Sequence, residues 1–151
     1  MSDLTAREVV EILGLEPLPE EGGMYRQTYR DELVSPIYFL TAGDDFSAMH
    51  ALDAVEVWHW YAGAPLRMLL LHPDGSVTEP VLGADLRAGQ RPQVVVTSGT
   101  WMGASSAGEW TLVGTQVTPL FDWDRFRLGR REELTADYPA AADRIADLTR
   151  G

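Results

Sequence analysis

Residues 50–63 read His50-Ala51-Leu52-Asp53-Ala54-Val55-Glu56-Val57-Trp58-His59-Trp60-Tyr61-Ala62-Gly63 (HALDAVEVWHWYAG). Histidines, a glutamate and large aromatics alternate with apolar spacers, and the alternation is that of a β-strand. Alternate side chains of a strand share a face, so Glu56, Trp58 and Trp60 point one way and Val57, His59 and Tyr61 the other. If the Glu56 face lines a barrel interior, that interior holds a carboxylate beside indole rings. A carboxylate against poorly hydrated aromatic walls acquires a raised pKa, as a general acid or base near neutrality requires. The bland alternative is a structural ion pair between Glu56 and an arginine such as Arg26.

His50 ends the preceding strand, and a tight reversal through Asp53 and Ala54 brings it to Glu56. The pair suits a divalent metal, but a catalytic metal usually takes three protein ligands. By parity His59 faces away from Glu56. His72 adjoins Pro73 at a hairpin end, where a solvated turn residue is expected. No third ligand stands out, so no metal is assigned.

The same alternation extends outward. Short extended segments run from Met24 to about Leu128: 24–29, 37–41, 46–52, 55–61, 66–72, 77–82, 93–97 and 110–118. Turn signals separate them, above all Pro73-Asp74-Gly75-Ser76. Many short strands without intervening helices predict an all-β sandwich or barrel. Helices are expected only at the flanks. Thr5-Ala6-Arg7-Glu8 is a capping box, and Gly14 closes the short helix that it opens. Glu132–Tyr138 and Ala140–Leu148 form a helical tail split by Pro139.

The composition removes several function classes. At 151 residues the chain fits one ordinary domain, and 45% hydrophobic with 23% charged residues describes a globular protein. The net charge of −11 argues against nucleic acid, which is bound by neutralising phosphates. All twelve basic residues are arginine, so a lysine Schiff base and a P-loop are excluded. The absence of cysteine removes disulfides and thiolate metal sites, and a cytoplasmic location is the default. No apolar run approaches the roughly 20 residues that span a bilayer. The polar, acidic N-terminus MSDLTAREVV does not read as a secretory leader.

Three linked motifs narrow the reading. They are Glu21-Gly22-Gly23-Met24-Tyr25-Arg26-Gln27-Thr28-Tyr29, then His50-x5-Glu56-x-Trp58-His59-x-Tyr61-x-Gly63, then Gly83-x-Asp85-Leu86-x2-Gly89-Gln90-x-Pro92-Gln93. Together they resemble the cupin superfamily, and within it the cupin-5 type, a family labelled as of unknown function. The resemblance covers roughly residues 18–128. It implies a double-stranded β-helix (jelly-roll) barrel that usually dimerises, structurally akin to sugar-nucleotide 3,5-epimerases and germin-like proteins. Metal-binding cupins usually carry a second histidine where Leu52 stands here, and another at the position of Met102. Those departures weaken a metal-dependent oxygenase reading.

The expectation is therefore one cupin domain over residues 1–151, with the barrel at about 18–128 and the helical tail at about 130–149. Its pocket would be lined by Arg26, Trp58, Gln93 and Trp101, with His50 and Glu56 as acid–base candidates and His59 and Tyr61 in or near it. Trp110 and Trp123 are assigned to packing. Arg26 would offer a fixed positive fork to a carboxylate or phosphate, and Gln93 an amide. The expected partners are a small-molecule ligand and a second copy of the chain, without cofactor, nucleic acid or membrane. Two functions follow: a metal-independent epimerase or isomerase acting on a small polar or carbohydrate-like substrate, or a non-catalytic binder of a small ligand.

Overall fold

A computed structural model describes residues 3–151; Met1 and Ser2, the start of the polar N-terminus, lie outside the described residues. Thr5 caps helix α1 (Ala6–Leu13) through a reciprocal box with Glu8, and Gly14 ends it in the left-handed conformation. Twelve strands follow: β1 (Glu16–Pro17), β2 (Met24–Gln27), β3 (Ser35–Ala42), β4 (Ser47–Leu52), β5 (Val55–Gly63), β6 (Leu66–Leu71), β7 (Val77–Thr78), β8 (Val81–Leu82), β9 (Gln93–Val96), β10 (Trp101–Ser106), β11 (Trp110–Thr118) and β12 (Phe126–Leu128). Helices α2 (Arg131–Asp137) and α3 (Ala142–Asp147) end the chain, with a 3-10 turn at Pro139–Ala141 between them.

The strands form two antiparallel sheets, one ordered β1-β2-β3-β11-β5-β9 and the other β12-β4-β10-β6-β7, with β8 beside β6. This is the double-stranded β-helix that the family resemblance implies. Strand β11 is the spine of the first sheet, paired with β3 on one side and β5 on the other. Three strands were not foreseen, the two-residue β1 among them. Strand β10 carries Gly103, Ala104, Ser105 and Ser106, residues without β-branching, yet it is the centre of the second sheet. Strand β12 has only three residues and pairs with β4.

Apolar packing divides into three parts. The barrel interior contains Phe39, Leu52, Trp58, Leu70, Met102 and Val113. Helix α1 covers the outer face of the first sheet, packing Val9 beside Leu40, Trp110 and Leu112. The C-terminal helices cover the outer face of the second sheet, with Leu134, Ile145 and Leu148 over Met49, Leu69 and Leu71. Tyr138 fastens the tail by donating its hydroxyl proton to the His72 carbonyl at 2.7 Å. Strand β4 is buried along its whole length because both its faces are covered. No described helix is long and apolar enough to cross a membrane.

Candidate functional site

A cavity of about 440 Å³ opens at one end of the barrel, within the range of small-molecule sites. His50 lies at its inner end, 1% exposed. Its Nδ1–H donates to the Ala48 carbonyl at 2.7 Å, and its ring stacks on Phe126 at 5.3 Å. The other nitrogen, Nε2, lies 3.4 Å from Glu21 Oε1 and 4.0 Å from Glu56 Oε1. The reversal through Asp53 and Ala54 thus unites His50 with Glu56, as the sequence predicts. Glu21, which was not foreseen, completes the cluster.

The backbone explains how Glu21 arrives. Strand β4 pairs with β10 at Met102↔His50 and again at Ala104↔Ser47, so β4 carries one extra residue between the two pairs. Such a bulge lets residues of opposite parity share a face. Ser47 therefore joins His50 on the inner face and donates its hydroxyl proton to Glu21 Oε2 at 2.8 Å. The Glu21 carbonyl in turn accepts from the Ala48 amide at 2.8 Å. Beyond it Gly22 and Gly23 both take positive φ, 93° and 76°, a turn that glycine makes without strain.

The electrostatics follow from burial and charge. Burial disfavours the His50 imidazolium, but the Glu21 carboxylate, the Glu56 carboxylate and the Ala48 carbonyl outweigh it, and the pKa is raised to about 9. At neutral pH the ring is a cation bracketed by carboxyl groups. Burial lifts the Glu21 carboxyl above its ordinary range; His50 opposes this, Glu56 adds to it, and the Ser47 hydroxyl opposes it. Glu56 Oε1 and Thr115 Oγ1, both in the cavity wall, are buried without hydrogen-bond partners among the described residues. Toward the mouth the wall is mixed, with Tyr25, Gln27, Arg30, Phe121, Asp122 and Trp123. Arg30 donates to the Phe121 carbonyl at 3.1 Å, and the Phe121 amide donates to Ser35 Oγ at 2.8 Å. These two bonds hold the 121–123 segment at the mouth.

Several residues expected in the pocket are elsewhere, and strand parity is the reason. Tyr25 and Gln27 face the cavity, so Arg26 between them points outward and donates to the Leu13 carbonyl; Arg30 supplies the guanidinium instead. On β9, Val94 and Val96 pack inward, leaving Gln93 outside beside His59. Tyr61 is 45% exposed and meets Tyr38 edge to face. Met102 faces the interior, so Trp101 turns to the tail side, where Arg127 lies over its ring at 5.0 Å. Trp58 is inside, as its parity requires. It is 1% exposed, packed edge-on to Phe39, and part of the core rather than the cavity lining. Trp123, assigned to packing, is 46% exposed at the cavity mouth. Its neighbours Phe121 and Asp122 on an irregular segment gave no periodic signal.

A metal of the kind common in this fold would be held by inward-facing donors at positions 50, 52, 56 and 102. Here Leu52 and Met102 fill two of those places with core packing. Among the described residues no group of three or more His, Asp or Glu side chains is arranged to hold an ion. Nε2 of His50, the nitrogen that would ligate, faces the carboxyl groups of Glu21 at 3.4 Å and Glu56 at 4.0 Å. The donor set does not fit.

Comparison with known proteins agrees with the fold. The family model Cupin_5, described as Cupin superfamily (DUF985), matches residues 7–129. A Shewanella oneidensis protein solved by X-ray crystallography is 37% identical, with a TM-score of 0.91 over 97% of this chain and 98% of that one. A hypothetical protein from Leishmania major is 25% identical, with a TM-score of 0.90 over 98% of this chain and all of the other (100%). A cupin 2 conserved barrel domain protein from Rhodopseudomonas palustris shares the fold at 16% identity, with a TM-score of 0.62 over 90% of this chain and 87% of that one. No curated protein matches the chain.

Proposed function

The chain belongs to the Cupin_5 (DUF985) family of the cupin superfamily, and from that premise we propose that it binds a small polar, carbohydrate-like molecule and moves a proton on it without a metal, as an epimerase or isomerase does. The observation that carries this reading is the Glu21–His50–Glu56 cluster at the inner end of an open cavity. In such a reaction a base removes the proton from a carbon next to a carbonyl, and an acid stabilises or reprotonates the enolate. Glu56 is the base in this scheme, because its Oε1 is unpaired. The His50 imidazolium is the acid, fixed in orientation by Ala48 and Phe126. Glu21 keeps His50 protonated. A site of this form sets an acid and a base side by side in one pocket, and proton chemistry near neutral pH uses such pairs.

The test is deuterium exchange. Candidate compounds are found by soaking crystals in a metabolite mixture and identifying density between His50 and Trp123. Each is then incubated with the protein in D₂O containing a chelator. Wild type is expected to place deuterium on the carbon beside the carbonyl, and His50→Gln and Glu56→Gln to abolish this. A compound that binds without exchange reduces the protein to a non-catalytic binder.

The same proposal includes a homodimer. Strand β1 covers β2 only at Met24 and Tyr25, leaving the edge at Arg26–Gln27 open for pairing across a two-fold axis. Light scattering should give twice the 16.7 kDa chain mass; a monomer at micromolar concentration rejects it.

A further inference from the structure

Unpaired buried polar groups on the β5–β11 face specify which part of a ligand enters the cavity first. Strands β5 and β11 pair at Trp58↔Thr115 and Glu56↔Val117. Thr115 is therefore directly across from Trp58 and one diagonal step from Glu56, about 7 Å between backbones. Thr115 is 3% exposed and Glu56 6%. Thr115 Oγ1 and Glu56 Oε1 are without hydrogen-bond partners among the described residues, as is the indole nitrogen of the adjacent Trp58. Leaving such groups unmade in a core costs stability, and each invites a partner.

Their chemistry differs in a useful way. A carboxylate only accepts, an indole N–H only donates, and a threonine hydroxyl does both. The cavity wall therefore presents an acceptor at Glu56 and a dual group at Thr115, with the Trp58 donor behind them in the core. Ligand hydroxyls match this set, one donating to Glu56 and another accepting from Thr115. A ligand carboxylate or phosphate only accepts at neutral pH, so it has nothing to donate to Glu56, and the cation at this end, His50, already lies between Glu21 and Glu56. A 1,2-diol offers a donor and an acceptor at once, with one hydroxyl for each side chain.

We infer that the inner end of this cavity is a subsite for a neutral vicinal diol, so that the substrate enters with an uncharged polyhydroxy group foremost and acidic sugars are rejected there. The inference rests on the cavity being a ligand site, and it adds to the proton-transfer reading the class and orientation of what is bound. Thr115 is a specificity residue in this scheme, and it takes no part in moving the proton.

Isothermal titration calorimetry with two probe series tests it: neutral five- and six-carbon aldoses and alditols, and the aldonates and uronates that correspond to them. At least one neutral probe should bind, about tenfold or more tighter than its acid counterpart. Thr115→Val keeps the shape and deletes the hydroxyl, and it should weaken that probe by about tenfold. Its melting temperature should equal or exceed that of wild type, since an unpaired buried group has been removed. An acid that binds as tightly as its neutral counterpart overturns the inference. So does Thr115→Val with unchanged affinity, or the failure of every neutral probe at millimolar concentration. The proton-transfer reading fails by a different result, deuterium exchange that persists in the His50 and Glu56 variants.

Discussion

Strand β4 has two faces that obey different rules. Toward the C-terminal helices, Met49 meets Leu134, Ile145 and Leu148 in a dry apolar cluster. Toward the barrel, one residue further on, His50 sits between carboxyl groups with unpaired polar atoms in the same cavity wall. The backbone and its ladder are common to both. The tail face contributes stability through packed area, whereas the barrel face holds a buried cation between carboxyl groups beside polar atoms that lack partners. A bulge of one residue separates them, and it moves Ser47 to the barrel face.

The largest effect should come from the dry face. Ile145 is fully buried, and Ile145→Ala should cost about 2–5 kcal/mol in urea unfolding, through lost contacts and the cavity left behind. A cost below about 1 kcal/mol would show that the tail is not part of the cooperative fold.

The barrel face should announce itself through pH. The folded pKa of His50 is raised from 6.5 to about 9, so its stabilisation is complete below about pH 6.5 and is lost as pH rises through 9. The Glu21 carboxyl, also raised, works in the same direction, because the folded state holds its proton more tightly than the unfolded chain does. Stability should fall by about 3 kcal/mol across that window. His50→Gln should flatten the profile, and Ile145→Ala should leave its shape alone. A flat wild-type profile would remove the imidazolium from the account.

A smaller effect is expected at the mouth. Trp123 is half exposed, so Trp123→Ala should change stability by less than about 1 kcal/mol while weakening any ligand bound in the cavity. A large loss of stability would return Trp123 to packing.

What the sequence revealed follows the same division. The capping box, the alternation in Val55–Gly63 and the His50–Glu56 reversal are local patterns, and each is present in the structure. The cluster's third member lies outside any local pattern: Glu21 is a loop residue brought in by a bulge in a different segment. Parity misplaced Arg26, Gln93 and Trp101, because composition alone does not say which face of a short strand is inward, and one step reverses the answer. Arg30 stands on an irregular segment and Trp123 on a single 3-10 turn, both too short for a period to be read. Strand β10 was hidden by its small side chains. Its Gly103 lies against Met49 and Leu148, so close approach of the tail favours the residues that carry little β signal.

The most direct measurement is Glu56→Gln, followed by thermal melting and by binding or deuterium exchange with a compound identified in the cavity. The amide retains the shape of the carboxyl group and removes its charge. If Glu56 belongs to the site, the variant melts within a few degrees of wild type and loses exchange. If Glu56 is a structural ion instead, its loss leaves His50 short of a partner and costs about 3–5 kcal/mol. A large drop in melting temperature, with ligand affinity and exchange intact in the folded fraction, would contradict the account.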